Sequence, residues 1–205
     1  MNSEKIIARF IGALFLIAMF SSLVGGGLIE DVLSKVNFLD TIYQSATQLN
    51  AGVILEIVNA ISVIGIAILF YPIIKIKNES LAIGYVCFRI LESIFCLAAA
   101  VIPLAIIKLN SDAEMLIIIR NTIASTLIPL GFSLGALILY FFLYTTKLLP
   151  RFISIWGFIA VILIMILNIF KFDMSIGMFL ALPIILNEIV MGIWLITKGF
   201  NRSDN

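Results

Sequence analysis

Six long apolar segments constrain the fold of this 205-residue chain more than any other feature. A transmembrane α-helix needs about 20 apolar residues to cross a hydrocarbon layer about 30 Å thick. Segments of that length lie at Ile6 to Ile29, Ala51 to Ile74, Leu81 to Ile107, Asn121 to Thr145, Phe152 to Phe170 and Ile176 to Thr197. The sequence therefore predicts an all-α, polytopic transmembrane helix bundle with six spanning helices, formed by residues 1–205 as one integral-membrane domain.

The composition excludes a water-soluble fold. Hydrophobic residues make up 62% of the chain, charged residues make up 12%, and the mean hydropathy is +1.21. Soluble domains are about half apolar and about a quarter charged. Lipid must therefore be the solvent for most of the surface, and membrane lipid is the first expected partner. The net charge of +1 gives no reason to expect a nucleic-acid partner.

The sequence contains no histidine, and so it lacks the commonest metal ligand and the commonest general base. It also contains no Walker loop, dinucleotide fingerprint, CxxC motif or HExxH motif. We therefore expect no metal and no cofactor. Cys87 and Cys96 are nine residues apart in one apolar segment, on opposite faces of a helix, where they cannot form a disulfide.

The stretch from Glu30 to Asn50 is longer than the other connections and carries apolar residues at helical spacing, among them Val36 and Leu39. This pattern predicts a short amphipathic helix lying at the membrane surface between the first two spans. An ordinary loop with accidental periodicity is the alternative.

Lysine and arginine residues at the helix ends predict the orientation, because cytoplasmic ends carry more of them. One side holds Lys5, Arg9, Lys75, Lys77, Lys147, Arg151, Lys198 and Arg202. The other side holds Lys35, Lys108, Arg120 and Lys171. The ratio of eight to four predicts a cell-membrane protein with cytoplasmic N- and C-termini.

Ionisable residues inside the apolar segments are the strongest sign of a functional site, because a charge at the bilayer centre costs about 2.5–3.5 kcal/mol on insertion scales. Four residues qualify: Glu56, Arg89, Glu92 and Glu188. Arg89 and Glu92 are three residues apart and share a helix face, so they can pair directly. One arginine cannot balance three glutamates, so at least one carboxylate is expected to be protonated or to hold a cation.

Neighbouring polar residues extend this cluster into a candidate ligand or ion site. Asn59 shares a face with Glu56, Asn187 precedes Glu188, and Ser133 belongs to a polar stripe on the fourth span. The predicted site consists of Glu56, Asn59, Arg89, Glu92, Ser133, Asn187 and Glu188, with no catalytic residue assigned. The alternative is that Arg89 pairs with a glutamate merely to hold helices together.

Gly131 and Gly135 form a GxxxG motif, which allows two helices to approach closely. Packing within the chain is the favoured interpretation, and a homo-oligomer is the alternative.

Several short stretches resemble a bacterial integral-membrane family known as domain of unknown function 4386. They are Ala8-Arg9-Phe10-Ile11-Gly12-Ala13-Leu14, Phe88-Arg89-Ile90-Leu91-Glu92, Leu148-Leu149-Pro150-Arg151-Phe152, Leu186-Asn187-Glu188 and Trp194-Leu195-Ile196-Thr197-Lys198-Gly199. They occur in order over nearly the whole chain. The resemblance implies a membrane fold and no assigned reaction.

Three functions remain open from the sequence. The first is a small transporter or ion- or proton-coupled permease, since intramembrane carboxylates suit cation binding. The second is a structural or regulatory membrane protein whose buried charges only lock helices. The third, ranked last for want of an acidic cluster with metal spacing, is a lipid-handling intramembrane enzyme. The identity of the small-molecule or ion ligand does not follow from the sequence.

Overall fold

The computed structural model describes residues 3–35, 42–109, 113–170 and 174–201, and this part of the chain is helical without any strand. The helices are α1 (Ser3–Leu33), α2 (Ala46–Lys75), α3 (Glu79–Leu109), α4 (Ala113–Thr146), α5 (Arg151–Phe170) and α6 (Met174–Thr197). All six contain a segment long and apolar enough to span a membrane. The predicted polytopic helix bundle is confirmed.

The helices pack in a closed ring. Each helix packs against the next one in the sequence, and α6 packs against α1. The α1–α6 contact is closest at Gly12 and Gly192, where a Cβ added to Gly12 would lie 2.6 Å from the carbonyl oxygen of Gly192. Both chain ends lie on one side of the ring, since Arg9 Nε donates to the Ile196 carbonyl (3.2 Å).

The outward faces of the helices are apolar. On α2, three isoleucines spaced seven residues apart, Ile54, Ile61 and Ile68, are 60%, 64% and 60% exposed. A spacing of seven places them on one face of a helix. A surface stripe of this kind suits contact with lipid and not with water, as expected of a multi-pass membrane protein.

The buried interior contains two apolar clusters. The proximal core, on the side of the chain termini, includes Ile11, Phe70, Tyr85, Tyr140 and Leu195. The distal core, on the opposite side, includes Ile29, Val53, Ile106 and Ala113. All six helices contribute to the proximal core, whereas the distal core consists of residues from α1 to α4 and Ile42, which precedes α2.

A polar layer separates the two apolar cores. It consists of the buried residues Ser21, Asn59, Ser62, Arg89, Glu92, Ser93, Arg120 and Ser133. On each of the helices α1 to α4, these residues lie between the segment that enters one core and the segment that enters the other. Polar groups in a hydrocarbon-embedded bundle must find partners inside it, and Asn59, Arg89, Glu92 and Ser93 each make at least one polar contact within the bundle.

Two features differ from the sequence-based picture. Helix α1 extends to Leu33 and α2 begins at Ala46, so both ends of the predicted surface helix belong to spanning helices. Its middle, residues 36–41, lies outside the described residues. Helix α4 begins at Ala113, well before the predicted Asn121, which brings Arg120 into a spanning helix.

Candidate functional site

Arg89 and Glu92 form an ion pair in the polar layer. Arg89 Nη1 lies 2.8 Å from Glu92 Oε2, and the two residues are 4% and 5% exposed. The spacing of three residues places both side chains on one face of α3, which is why the pair forms within a single helix. The predicted pairing of Arg89 with Glu92 is present.

The GxxxG motif of α4 packs against this ion pair. A Cβ added to Gly131 would lie 3.1 Å from the backbone nitrogen of Glu92, and one added to Gly135 would lie 3.0 Å from Arg89 Cδ. The two glycines therefore make room for the Arg89 side chain between α3 and α4. Phe132 adds a cation–π contact, with Arg89 Cζ 5.8 Å from its ring centroid. The motif serves packing within the chain, as predicted.

Asn187 and Glu188 are adjacent on α6 but have different surroundings. Asn187 is fully buried; its Oδ1 accepts a hydrogen bond from Tyr140 Oη (2.7 Å), and its Nδ2 donates to the Ile153 carbonyl (2.9 Å). It thereby joins α4, α5 and α6. Glu188 makes no hydrogen bond or salt bridge to a described residue, although its charge interacts with that of Arg89. The direct ion pair of Arg89 is with Glu92, not with Glu188.

Ser133 lies apart from Arg89. It is two residues from both Gly131 and Gly135, which turns it about half a helical circumference away from α3. Its side chain is buried, and Oγ has no hydrogen-bond partner among the described residues. Of the seven predicted site residues, Ser133 is the one with the least connection to the others.

Glu56 and Asn59 lie beside a cavity of about 210 Å³ between α1, α2, α3 and α4. Asn59 Nδ2 donates to Glu56 Oε2 (3.4 Å) and also contacts Cys96 Sγ (3.8 Å). Glu56 forms no salt bridge with a described residue. A cavity needs only about 10–15 Å³ to hold a water molecule, so this one has room for several waters or a small solute.

Arg120, which the sequence-based prediction assigned to a helix end, contributes the cation of this cavity. It is 7% exposed, and its Nη1 donates to Glu30 Oε2 (2.9 Å) and to Asn121 Oδ1 (3.0 Å). Glu56 was predicted to share a site with Arg89. It instead lines a cavity together with Arg120, because α2 and the first turns of α4 face each other on the distal side of the polar layer.

A π-helical turn at Ile123–Leu127 interrupts α4 next to Arg120. Pro129 lacks the N–H group that a regular helix would donate to the Ser125 carbonyl, and its ring would crowd that turn. The wider turn resolves the conflict, with Ile128 N–H donating five residues back to the Ile123 carbonyl. Such turns are frequent at functional sites, and Ala124 of this one lines the cavity.

Helix α3 connects the two groups of charges. Ser93 Oγ donates to the Ala60 carbonyl of α2 (2.6 Å), and Cys96 lines the cavity one turn further along. The polar layer is thus continuous from Arg89 to Glu56. Within the described part of the chain, no three His, Cys, Asp or Glu side chains come together in a group that could hold a metal ion.

The chain was also compared with known proteins. Residues 10–199 match a family described as a domain of unknown function, DUF4386. The chain belongs to this family. No curated protein and no solved structure matches it. Because the description of DUF4386 carries no activity, the function of this member has to be argued from its own polar layer and cavity.

Proposed function

We propose that this DUF4386 protein is a small permease that transports a cation, or a solute coupled to a cation or proton, and binds it in the cavity beside Glu56. The observation that carries the proposal is a carboxylate, without a salt-bridge partner in the described part of the chain, beside an intramembrane cavity of about 210 Å³. Charged groups in spanning helices typically mark ion or substrate pathways.

The charges around the cavity favour a positively charged occupant. Arg120 already has a counter-charge, because its Nη1 is bound to Glu30. Among the described residues, Glu56 has a hydrogen bond only from the amide of Asn59, at a long 3.4 Å. The carboxylate of Glu56 is therefore the uncompensated charge, and a proton, a monovalent cation or an amine would balance it.

The cavity borders residues that reach the surface of the bundle. Ser22 of its α1 wall is exposed, and the carboxylate of Glu30, which holds Arg120, has a side-chain exposure of 49%. An occupant beside Glu56 would thus reach the surface past a single interhelical ion pair between α1 and α4. Separation of Arg120 from Glu30 would widen that path.

Cation flux into proteoliposomes tests the proposal. Vesicles that contain the protein and a trapped pH indicator report proton flux, and vesicles given radioactive sodium report sodium flux. Under an inward-negative potential, we expect flux of one of these two cations. Glu56→Gln should abolish this flux. Glu79→Gln is the matched control, since Glu79 is exposed and pairs with Lys75 at the end of α2. Absence of both fluxes with folded protein would refute transport of a proton or a sodium ion by itself, and equal flux in Glu56→Gln would refute the role of Glu56.

We also propose that the side bearing both chain termini faces the cytoplasm of the cell. The side with the chain termini has eight lysine and arginine residues at its helix ends, which supports this orientation. The opposite side has three once Arg120, which is buried, is no longer counted there. Reporter fusions after Lys77 and Asn205 should report cytoplasm, and one after Asp112 should report the outside. An outside signal from Asn205 would contradict the orientation.

A further inference from the structure

The middle of the helix ring contains a second polar group that the cavity beside Glu56 does not include. Its members are Glu188 of α6, together with Tyr85 and Arg89 of α3. Tyr85 is fully buried and Arg89 is 4% exposed. Tyr85 Oη and Arg89 Nε have no hydrogen-bond partner among the described residues. Glu188 makes no hydrogen bond or salt bridge there either, yet its charge interacts with Tyr85 and with Arg89.

The accessible part of Glu188 faces the interior of the ring. Glu188 is partly accessible, whereas its neighbour Asn187 is completely buried. The lipid-facing residues of this part of α6 are Leu182, Leu186 and Ile193, which are 46%, 43% and 50% exposed. At 100° per residue, Glu188 points about 120° or more away from each of them. The space beside its carboxylate is therefore inside the bundle.

Two donors and a carboxylate in this group have no hydrogen-bond partner among the described residues. Buried polar groups in native proteins almost always have a partner, and ordered water supplies it where the protein does not. Water molecules in this space can accept from Tyr85 Oη and Arg89 Nε and donate to Glu188.

The charge count at this pocket favours proton binding by Glu188. The positive charge of Arg89 is neutralised by Glu92 at 2.8 Å, so Glu188 adds a second negative charge to a buried centre that holds one cation. The other titratable group nearby is Tyr140 of α4, whose hydroxyl is bound to Asn187. Helices α1 and α5, which flank α6, bring no charged group to this level, since Arg9 lies at Ile196 and Arg151 stands over the Tyr144 ring.

We propose that Glu188 is a proton-binding site at the centre of the bundle, linked through ordered water to Tyr85 Oη and Arg89 Nε. The proton adds to one carboxylate oxygen, and no other bond is made or broken. This site is separate from the cavity beside Glu56, and within the proposed permease it would hold the coupling proton.

Infrared difference spectroscopy of the unliganded protein tests the site. A protonated carboxyl gives a C=O stretching band that a carboxylate lacks. The spectra are compared above about pH 6, where exposed carboxylates are ionised. In that range the Glu56→Gln protein should retain a pH-dependent carboxyl band, and adding Glu188→Gln should remove it. Tyr85→Phe should raise the pH of half-protonation by about one unit, because it removes one water-linked donor that stabilises the ionised form.

Each other outcome overturns the proposal. A pH-dependent band that survives Glu188→Gln would assign the proton elsewhere, and no such band in Glu56→Gln would mean that no proton binds. An unchanged pH of half-protonation in Tyr85→Phe would refute the water link. If Glu188→Gln does not fold, the Tyr85→Phe variant alone tests the proposal. The measurement needs no transport, so failure of the permease proposal would leave its result interpretable.

Discussion

Replacing Arg89 with leucine would leave the carboxylate of Glu92 buried without its cation. The charges are 2.8 Å apart, which corresponds to an attraction of about 6 kcal/mol at an effective dielectric constant of about 20. The cost of removing both groups from water offsets much of this attraction, and loss of one partner from a buried pair typically destabilises a protein by about 3–5 kcal/mol. We expect Arg89→Leu to lower the free energy of unfolding by that amount.

A double-mutant cycle isolates the contribution of the pair. Adding Glu92→Gln to Arg89→Leu should recover about 1–3 kcal/mol, because the stranded charge is removed. Arg151→Leu is the matched control: Arg151 also stands over an aromatic ring, Tyr144 at 5.4 Å, but is exposed. It should cost less than about 1 kcal/mol. Denaturant unfolding in detergent measures the wild type, the two single variants, the double variant and the Arg151→Leu control. Strict additivity of the two substitutions would show that the residues are not coupled and would refute the reasoning.

Two further predictions follow from the cavity and from the GxxxG motif. In a Cys87→Ser background, Cys96 should react with a small water-soluble thiol reagent because it lines the cavity. Cys87 is exposed on the outside of α3 and should react only with a lipid-soluble reagent. A Cys96 that reacts with the lipid-soluble reagent and not with the water-soluble one would show that water does not reach the cavity. Gly135→Leu should lower the free energy of unfolding by about 1–3 kcal/mol, because the larger side chain overpacks against α3. Gly27→Leu is its control, since nothing lies within 4 Å of a Cβ added at Gly27. Equal losses in the two variants would contradict the packing role of Gly135.

Features set by spacing along one helix were predictable from the sequence. The six spans follow from segment length, the Arg89–Glu92 pair from a separation of three residues, and the close approach at Gly131 and Gly135 from their separation of four. In each case the physical cause operates between residues that are near in the chain. The bundle geometry only has to leave these local arrangements intact.

Features that depend on which helices face each other were not predictable. Glu56 was grouped with Arg89 because both are charged and lie in spans, but helix order around the ring places Glu56 near Arg120. Arg120 itself was taken for an interfacial residue, because an arginine at the edge of an apolar segment usually lies at the membrane surface. Its burial depends on α4 starting at Ala113 and on a counter-charge at Glu30, ninety residues away in the sequence.

The arrangement of the ion pairs bears on whether the buried charges merely lock helices together. The Arg89–Glu92 ion pair lies within α3, so the pair itself does not join two helices. Arg89 reaches α4 through its contact with the Phe132 ring. The polar ties between helices of the described chain include Arg120 with Glu30, which joins α4 to α1, and Asn187, which joins α6 to α4 and α5. A purely structural role accounts for Arg120 and Asn187, whereas the ring contact of Arg89 offsets only part of the cost of its charge at this depth. The ion pair with Glu92 holds Arg89 within electrostatic range of Glu188. Nε of Arg89 has no hydrogen-bond partner among the described residues. This arrangement supports the proton-binding site that we propose at Glu188.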